Sequence, residues 1–125
     1  MTRSSGILDA SSAVMTIVTA LRFLRHPDDL IAKSYLIQKT SHVNVNKDIT
    51  EILTPRLLQL PLYELTEQLY DLLHLNLLGN QSAYLCAFYD QVASFVSDNG
   101  SNIDEFLREW NDSIGAKTIQ SPEIF

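Results

Sequence analysis

Apolar residues recur at helical spacing in the N-terminal third of the chain. Within residues 12–26 they fall three or four positions apart, at Val14, Ile17, Val18, Leu21 and Leu24. This spacing places them on one face of an α-helix. Pro27 lacks the N–H that would continue the helix, so we expect the first helix to end there. The run Pro27-Asp28-Asp29 suits the first turn of a second helix. We expect that helix to end near Thr40.

The middle of the chain predicts a connector, a short helix and a long helix. Residues 41–46 alternate polar and apolar over too few positions for a sheet strand, so we expect a connector. Asn46 is placed to cap a short helix through Leu53. A long amphipathic helix is predicted from Leu62 to a stop at Gly79, with its inner face at Leu65, Leu69, Leu72, Leu73 and Asn76. Its opposite face carries Glu64, Glu67 and Asp71.

Two further helices are predicted in the last third. One runs over about residues 82–97, with inward positions at Leu85, Phe88, Val92 and Phe95. Ser101 and Asp104 form a capping pair for a final helix. Its inner stripe is Ile103, Phe106, Leu107, Trp110 and Ile114. The aromatic residues at helical spacing are expected in the core and not on a base-stacking surface: Tyr84, Phe88, Phe95, Phe106 and Trp110.

The composition agrees with one globular domain. A chain of 125 residues with 46% hydrophobic and 19% charged residues can bury a hydrophobic core. We therefore predict an all-α fold, a compact bundle of five to six helices with no significant sheet, as a single domain over residues 1–125. Only the two ends, residues 1–10 and 117–125, are expected to be loose.

The sequence gives no sign of a membrane or secretory protein. No apolar run approaches the roughly 20 residues needed to span a bilayer. The N-terminus has no apolar core of a signal peptide. Cys86 is the single cysteine, so a reducing compartment is expected. We expect a cytoplasmic location, with Cys86 as a small buried side chain.

The net charge of −6 is unevenly distributed. Residues 1–56 carry seven Lys/Arg and five Asp/Glu, a balance of +2, whereas residues 57–116 carry one Arg and nine acids, a balance of −8. Only the first half can favour a polyanion. Its candidate contacts to DNA phosphates are Arg22, Arg25, Lys33, Lys39 and Lys47. They are widely spaced without aromatic interleaving, so a mixed solvated surface is the other interpretation.

Residue patterns for catalysis, cofactors and metals are missing from the sequence. A P-loop needs G-x-x-x-x-G-K-S/T, and the nearest string, GAKT at residues 115–118, lacks the earlier glycine. The histidines lie in three different predicted elements, at His26, His42 and His74. The acidic row on the long helix is expected to be its solvated side. We therefore assign no catalytic, cofactor-binding or metal-binding residue.

Three strings carry a resemblance to a known family. They are AVMTIVTALRFLRHPDDLIAKSYL at residues 13–36, LPLYELTEQLYDLL at 60–73, and YLCAFYDQVASFVSDNGSNIDEFLREWND at 84–112. In this order they resemble the AddA/RecB branch of UvrD/RecB-like superfamily 1 DNA helicases. The similar segment there is the inserted subdomain usually called 2B. It lies between the middle helicase motif and one that reads roughly TIHKSKGLEF.

The resemblance implies a non-catalytic fragment of a larger motor. The parent would couple hydrolysis of ATP, with Mg, to DNA unwinding in recombination and DNA repair. The fragment would hold no cofactor itself and would help to orient duplex DNA or a partner subunit. The implied partners are duplex DNA, bound weakly, the other subdomains of the parent and a nuclease subunit. The parent would be a hydrolase of the helicase or helicase-exonuclease type.

Two other functions remain open from the residues alone. One is a free-standing helical module that binds another protein through an exposed groove. The other is a small enzyme that uses the acidic face of the long helix. A reading frame that continues past Phe125 into a TIHKSKGLEF-like string would favour the helicase interpretation, whereas a natural stop would favour the module.

Overall fold

Six α-helices make up most of the described chain, which covers residues 5–41, 47–116 and 118–120 of a computed structural model. The helices are α1 (Ser12–Arg25), α2 (Leu30–Thr40), α3 (Ile49–Ile52), α4 (Leu62–Leu72), α5 (Ser82–Asn99) and α6 (Ile103–Asp112). Short 3-10 turns lie at Leu8–Ala10, Pro55–Gln59, Leu75–Leu77 and Ile114–Ala116. The predicted all-α bundle of five to six helices is confirmed.

Helix α1 lies at the centre of the bundle and packs against α2, α4, α5 and α6. Ten of its 14 residues are buried, so it is apolar on nearly every side. Thr16 is fully buried, and its hydroxyl donates to the carbonyl oxygen of Ser12 at 2.7 Å. Ser11 caps the helix by accepting a hydrogen bond from the N–H of Val14. The sequence pattern at Val14, Ile17, Val18, Leu21 and Leu24 therefore marks the core of the fold.

Helix α2 begins later than the sequence suggested. The backbone N–H of His26 donates to the carbonyl oxygen of Arg22 and ends α1, as expected just before Pro27. We predicted the run Pro27-Asp28-Asp29 in the first turn of the second helix, and this was wrong. The carboxylate of Asp29 accepts from the N–H of Ala32 at 3.0 Å, so Asp29 is the cap. Pro27 and Asp28 form the turn before it.

Helix α3 begins with a capping box at Asp48. The carboxylate of Asp48 accepts from the N–H of Thr50, and Glu51 accepts from the N–H of Asp48 at 3.1 Å. The cap is therefore Asp48 and not Asn46. Asn46 and the connector predicted at residues 41–46 lie outside the described residues, apart from Ser41.

Helix α4 ends at Leu72, so the prediction of one helix to Gly79 was wrong. His74 has left-handed backbone angles, with φ 54° and ψ 42°, which stop the helix. A 3-10 turn at Leu75–Leu77 follows and buries Leu75. The change of direction at His74 brings the Leu75 side chain into the core.

The last two helices match their predicted positions but not every predicted cap. Helix α5 extends two residues beyond the predicted end and stops at Gly100, whose φ is 80°. Helix α6 is capped by Asn102, which accepts from the N–H of Glu105 at 2.9 Å. The predicted capping pair of Ser101 and Asp104 was wrong, because Asp104 is bound to an arginine of α1.

Aromatic rings fill the space between α5 and α6. Phe88 meets Phe106 and Trp110 edge-on, with ring centroids 6.2 and 5.8 Å apart. Phe95 meets Phe106 in the same way at 5.3 Å. These four side chains are buried, and Tyr84 is half-buried. The prediction that this aromatic stripe belongs to the core is confirmed, with Tyr84 packed against its margin.

A two-stranded antiparallel ribbon joins the ends of the helical body. The strands are β1 (Ser5–Ile7) and β2 (Thr118–Gln120), with Gly6 opposite Ile119. Leu8 follows β1 directly and is fully buried. We expected residues 1–10 and 117–125 to be loose. Within them, residues 5–10 and 118–120 have defined secondary structure.

Candidate functional site

The two candidate arginines of α1 bind helix α6. Arg25 donates from Nε and Nη2 to the two carboxylate oxygens of Asp104, at 3.0 and 2.8 Å. Arg22 donates from Nη2 to the amide oxygen of Asn111 at 2.7 Å. Arg22 and Arg25 lie three residues apart on one face of α1, so both reach the same neighbouring helix. The arginines predicted to contact phosphate thus form hydrogen bonds from α1 to α6 at the surface.

The Arg25–Asp104 pair is open to solvent. Hydrogen bonding to Asp104 raises the pKa of the Arg25 guanidinium, and the same bonds lower the pKa of the Asp104 carboxyl. The two side chains are 39% and 45% exposed. An exposed ion pair contributes little to stability and is screened by salt. A phosphate can therefore compete with Asp104 for this guanidinium.

The three candidate lysines lie apart from the arginine pair and fall into two groups. Lys33 is close enough to Asp48 to lower the pKa of its carboxyl, although the main cause is the hydrogen bond from Thr50. Lys47 precedes Asp48 directly. The ammonium of Lys39 lies 5.5 Å from the centre of the Tyr35 ring. The lysines therefore form two separate groups, Lys33 with Lys47, and Lys39 alone.

Lys39, in α2, lies near the N-terminal end of α1, whereas Arg25 lies at the C-terminal end of α1. Lys39 lines a small hollow together with Ser12 and Thr16, in the first turns of α1. Ser12 and Arg25 are the two ends of that helix, about 20 Å apart at 1.5 Å per residue. The five candidate residues therefore do not form a single basic patch, and a phosphate backbone would meet them at separate points.

The acidic row of α4 lies at the surface as predicted. Glu64, Glu67 and Asp71 are exposed. Glu67 and Asp71 line an open hollow of about 440 Å³ together with Tyr89 of α5. The hydroxyl of Tyr89 donates to the carbonyl oxygen of Thr66 at 3.2 Å. Burial, and next the nearby charge of Glu67, raise the pKa of Tyr89 to about 12.

Stability is expected to fall in strong alkali because of Tyr89. Its folded pKa of about 12 exceeds the ordinary value of 10.0, so folding favours the neutral phenol. This contribution is complete below pH 10 and is lost as the pH rises to about 12. Because the ring is only half-buried, we expect a loss of about 1 kcal/mol after solvent screening. Urea unfolding across this range measures it.

Two tyrosine variants make this pH test specific. Tyr89→Phe removes the ionisable group and should flatten the decline. Tyr84→Phe, on the same helix, should keep it. An equal decline in both variants would contradict the assignment to Tyr89.

The single cysteine and two of the histidines lie at the surface. Cys86 was predicted to be buried, and this was wrong, because its side chain is exposed. Helix α5 buries Phe88, Val92 and Phe95. Cys86 precedes Phe88 by two residues, about 200° around the helix, and so points away from that stripe. His26 and His74 are exposed, and His42 lies outside the described residues.

Helix α2 has an exposed apolar surface that was not predicted from the sequence. Leu30, Ile31 and Ile37 are 71%, 84% and 47% exposed. The inward positions of this helix are Ala32, Leu36 and Thr40, four residues apart. This inward stripe contains only one large apolar side chain. The sequence could have revealed the exposed surface from this stripe, because it leaves Leu30, Ile31 and Ile37 on other faces of the helix.

The described residues contain no group of three or more His, Cys, Asp or Glu side chains arranged to hold a metal ion. Of the helices in the described ranges, none is both long and apolar enough to cross a bilayer. No protein-family model, no curated protein and no solved structure matches the chain.

Proposed function

We propose that this chain is a 2B-like accessory subdomain of an ATP-dependent DNA helicase of the UvrD/RecB-like kind, acting in recombination and DNA repair. Its role is to orient duplex DNA or a partner subunit, while ATP and Mg are used elsewhere in the parent. The observation that carries the proposal is the ribbon of β1 and β2. The ribbon supports an inserted subdomain, because it places the segment that enters the helical body, β1, beside the segment that leaves it, β2.

An inserted subdomain needs two neighbouring connections to its host. In the ribbon, Ser5 lies opposite Gln120, so the two segments meet the helical body at the same point. Domains whose two ends lie close together can be inserted into a host with little disturbance. The helical body between them packs around one core centred on α1, as a unit carried by two connections should.

The gene sequence around this chain tests the proposal directly. We expect the reading frame to continue beyond the codon for Phe125 into a TIHKSKGLEF-like string, with a Walker A sequence upstream. Sequencing the locus in both directions gives the answer. A stop codon immediately after Phe125, together with no Walker A sequence upstream, would contradict the proposal.

Duplex DNA should bind weakly and in a salt-dependent manner. Each phosphate contact contributes roughly −0.9 to the slope of log K against log salt. The separate groups of basic residues support about two or three contacts, so we expect binding at about 20 mM salt and little at about 150 mM. Asp104→Asn should free the Arg25 guanidinium, strengthen binding and steepen the slope by roughly 0.9. Fluorescence anisotropy of a labelled duplex measures both quantities.

Matched charge changes control the DNA experiment. Asp90→Asn, at an exposed position of α5, changes the net charge by the same amount as Asp104→Asn. It should strengthen DNA binding less than Asp104→Asn does. Lys33→Glu/Lys47→Glu should weaken binding more than Arg56→Glu/Arg108→Glu, which makes the same change in net charge. Equal responses within each pair would mean that the candidate residues do not contact phosphate.

The exposed apolar surface of α2 favours a second candidate function, a free-standing helical module that binds another protein. The two candidate functions predict that different substitutions abolish binding. A DNA-orienting subdomain should lose duplex binding when lysines are reversed, and a protein-binding module should lose its partner when Leu30 and Ile31 become polar.

A further inference from the structure

The outward face of α2 carries no charged residue. Three of the four large apolar side chains that are exposed among the described residues lie on this helix. The helix turns about 100° per residue, so the side facing away from Ala32, Leu36 and Thr40 can be read from the sequence. We call this face the α2 strip; it consists of Leu30, Ile31, Ser34, Ile37, Gln38 and Ser41.

A lysine flanks the α2 strip on each side. By helical geometry, Lys33 lies beside Ile37 on one margin, and Lys39 lies beside Tyr35 on the other. Lys39 is exposed and Lys33 is half-buried. The cation–ring contact with Tyr35 helps to hold the Lys39 ammonium at its margin. The surface is therefore a strip of exposed apolar and uncharged polar side chains between two positive charges.

We propose that the α2 strip docks an acidic amphipathic helix of a partner protein. The partner's apolar face covers Leu30, Ile31 and Ile37, and carboxylates on both sides of that face pair with Lys33 and Lys39. A helix laid against a helix in this way buries one apolar stripe and places its flanking charges at the rim. Asp29 is already bound to the N–H of Ala32 as the cap, so the partner's carboxylates belong opposite the lysines and not at this end.

The size and charge of the strip argue against a second copy of the chain. Helix α2 has 11 residues, about 16 Å of length, and its exposed face is about 10 Å wide. A stable dimer needs roughly 800 Å² buried per partner, far more than this footprint supplies. A symmetric pair would also bring the lysine margins of both copies together, which is unfavourable. A short acidic helix avoids this charge repulsion, and it fits the small footprint if it binds weakly and transiently.

Synthetic helical peptides test the proposal with the whole chain. The probe is a fluorescein-labelled peptide of about 18 residues, with Leu at i, i+3, i+4 and i+7 and Glu on both sides of that stripe. A second peptide carries Lys in place of every Glu. We expect the Glu peptide to bind at least about tenfold more tightly than the Lys peptide. Lys33→Glu/Lys39→Glu should reverse that preference.

Neutral substitutions separate the strip from the rest of the surface. Leu30→Gln/Ile31→Gln should weaken binding of the Glu peptide at least about tenfold. Leu77→Gln, at the fourth exposed apolar side chain, should leave binding unchanged. All these positions are exposed, so the fold should persist, and circular dichroism checks it. The neutral pair should leave duplex DNA binding unchanged, so this inference can fail without affecting the proposed function.

Several outcomes would overturn the proposal. Equal binding of the two peptides would show that the lysines do not select an acidic partner. Binding that survives Leu30→Gln/Ile31→Gln would show that the partner does not dock on the α2 strip. A dimer in sedimentation that dissociates in that variant would assign the strip to a second copy. Binding to anionic lipid vesicles that is lost in the same variant, without peptide binding, would assign it to a membrane surface.

Discussion

Replacing Trp110 with alanine is expected to lower the free energy of unfolding by about 3–5 kcal/mol. The indole is only 4% exposed and lies at the junction of α5 and α6. Its ring centre is 5.8 Å from that of Phe88 and 6.4 Å from that of Phe106. Truncation removes the buried surface and both aromatic contacts, and the neighbouring rings cannot collapse fully into the space.

Urea unfolding monitored by circular dichroism measures this loss without relying on tryptophan fluorescence. Arg108→Ala, an exposed change on the same helix, should stay within about 0.5 kcal/mol of the unchanged protein. If Trp110→Ala instead left stability intact and removed nucleic-acid binding, the residue would be a DNA-stacking platform and its assignment to the core would be wrong.

Replacing Gly115 with alanine is expected to cost about 1–3 kcal/mol through overpacking. A Cβ at this position would lie 2.9 Å from Cε2 of Trp110, 3.0 Å from its Nε1 and 3.1 Å from its carbonyl oxygen. The indole is held by the aromatic cluster, and the carbonyl belongs to the backbone of α6, so neither can move away cheaply. The effect should grow with valine at the same position. Thermal or urea unfolding of the two variants gives the comparison.

Two controls test whether the cost at Gly115 comes from Trp110. Gly79 has nothing within 4 Å of an added Cβ, so Gly79→Ala should change stability by less than about 1 kcal/mol. In a Trp110→Ala background, Gly115→Ala should cost much less, because the two closest side-chain atoms are gone. An undiminished cost there would show that the strain lies in the backbone and not against the indole.

The helices could be predicted because each buries a regular apolar stripe. Phe88, Val92 and Phe95 specify α5 in this way, and burial of that stripe outweighs most local detail. The caps were harder to predict, because several suitable residues stand within two positions of each helix start. Asp48 and Asn102 cap the helices for which Asn46 and Ser101 were predicted, and only the geometry of the turn decides between such neighbours.

The parts that could not be predicted depend on distant contacts or on weak local signals. The partner of Arg25 lies 79 residues further along the chain, so the sequence showed a free cation where the structure has an ion pair. His74 ends α4 with a left-handed backbone although neither glycine nor proline marks the position. The same limit applies to the candidate site, because five basic residues grouped by sequence are separated by the packing of α1 and α2.

The register of the ribbon also determines how the domain responds to tension. Its outer pair is Ser5 with Gln120, and its inner pair is Ile7 with Thr118, so both outer ends point the same way. Pulling those ends apart loads the hydrogen bonds across the strands one pair at a time, as in unzipping, and not all together in shear. The ribbon should therefore yield first under force, and the buried Leu8 behind it marks where further extension must begin to open the helical core.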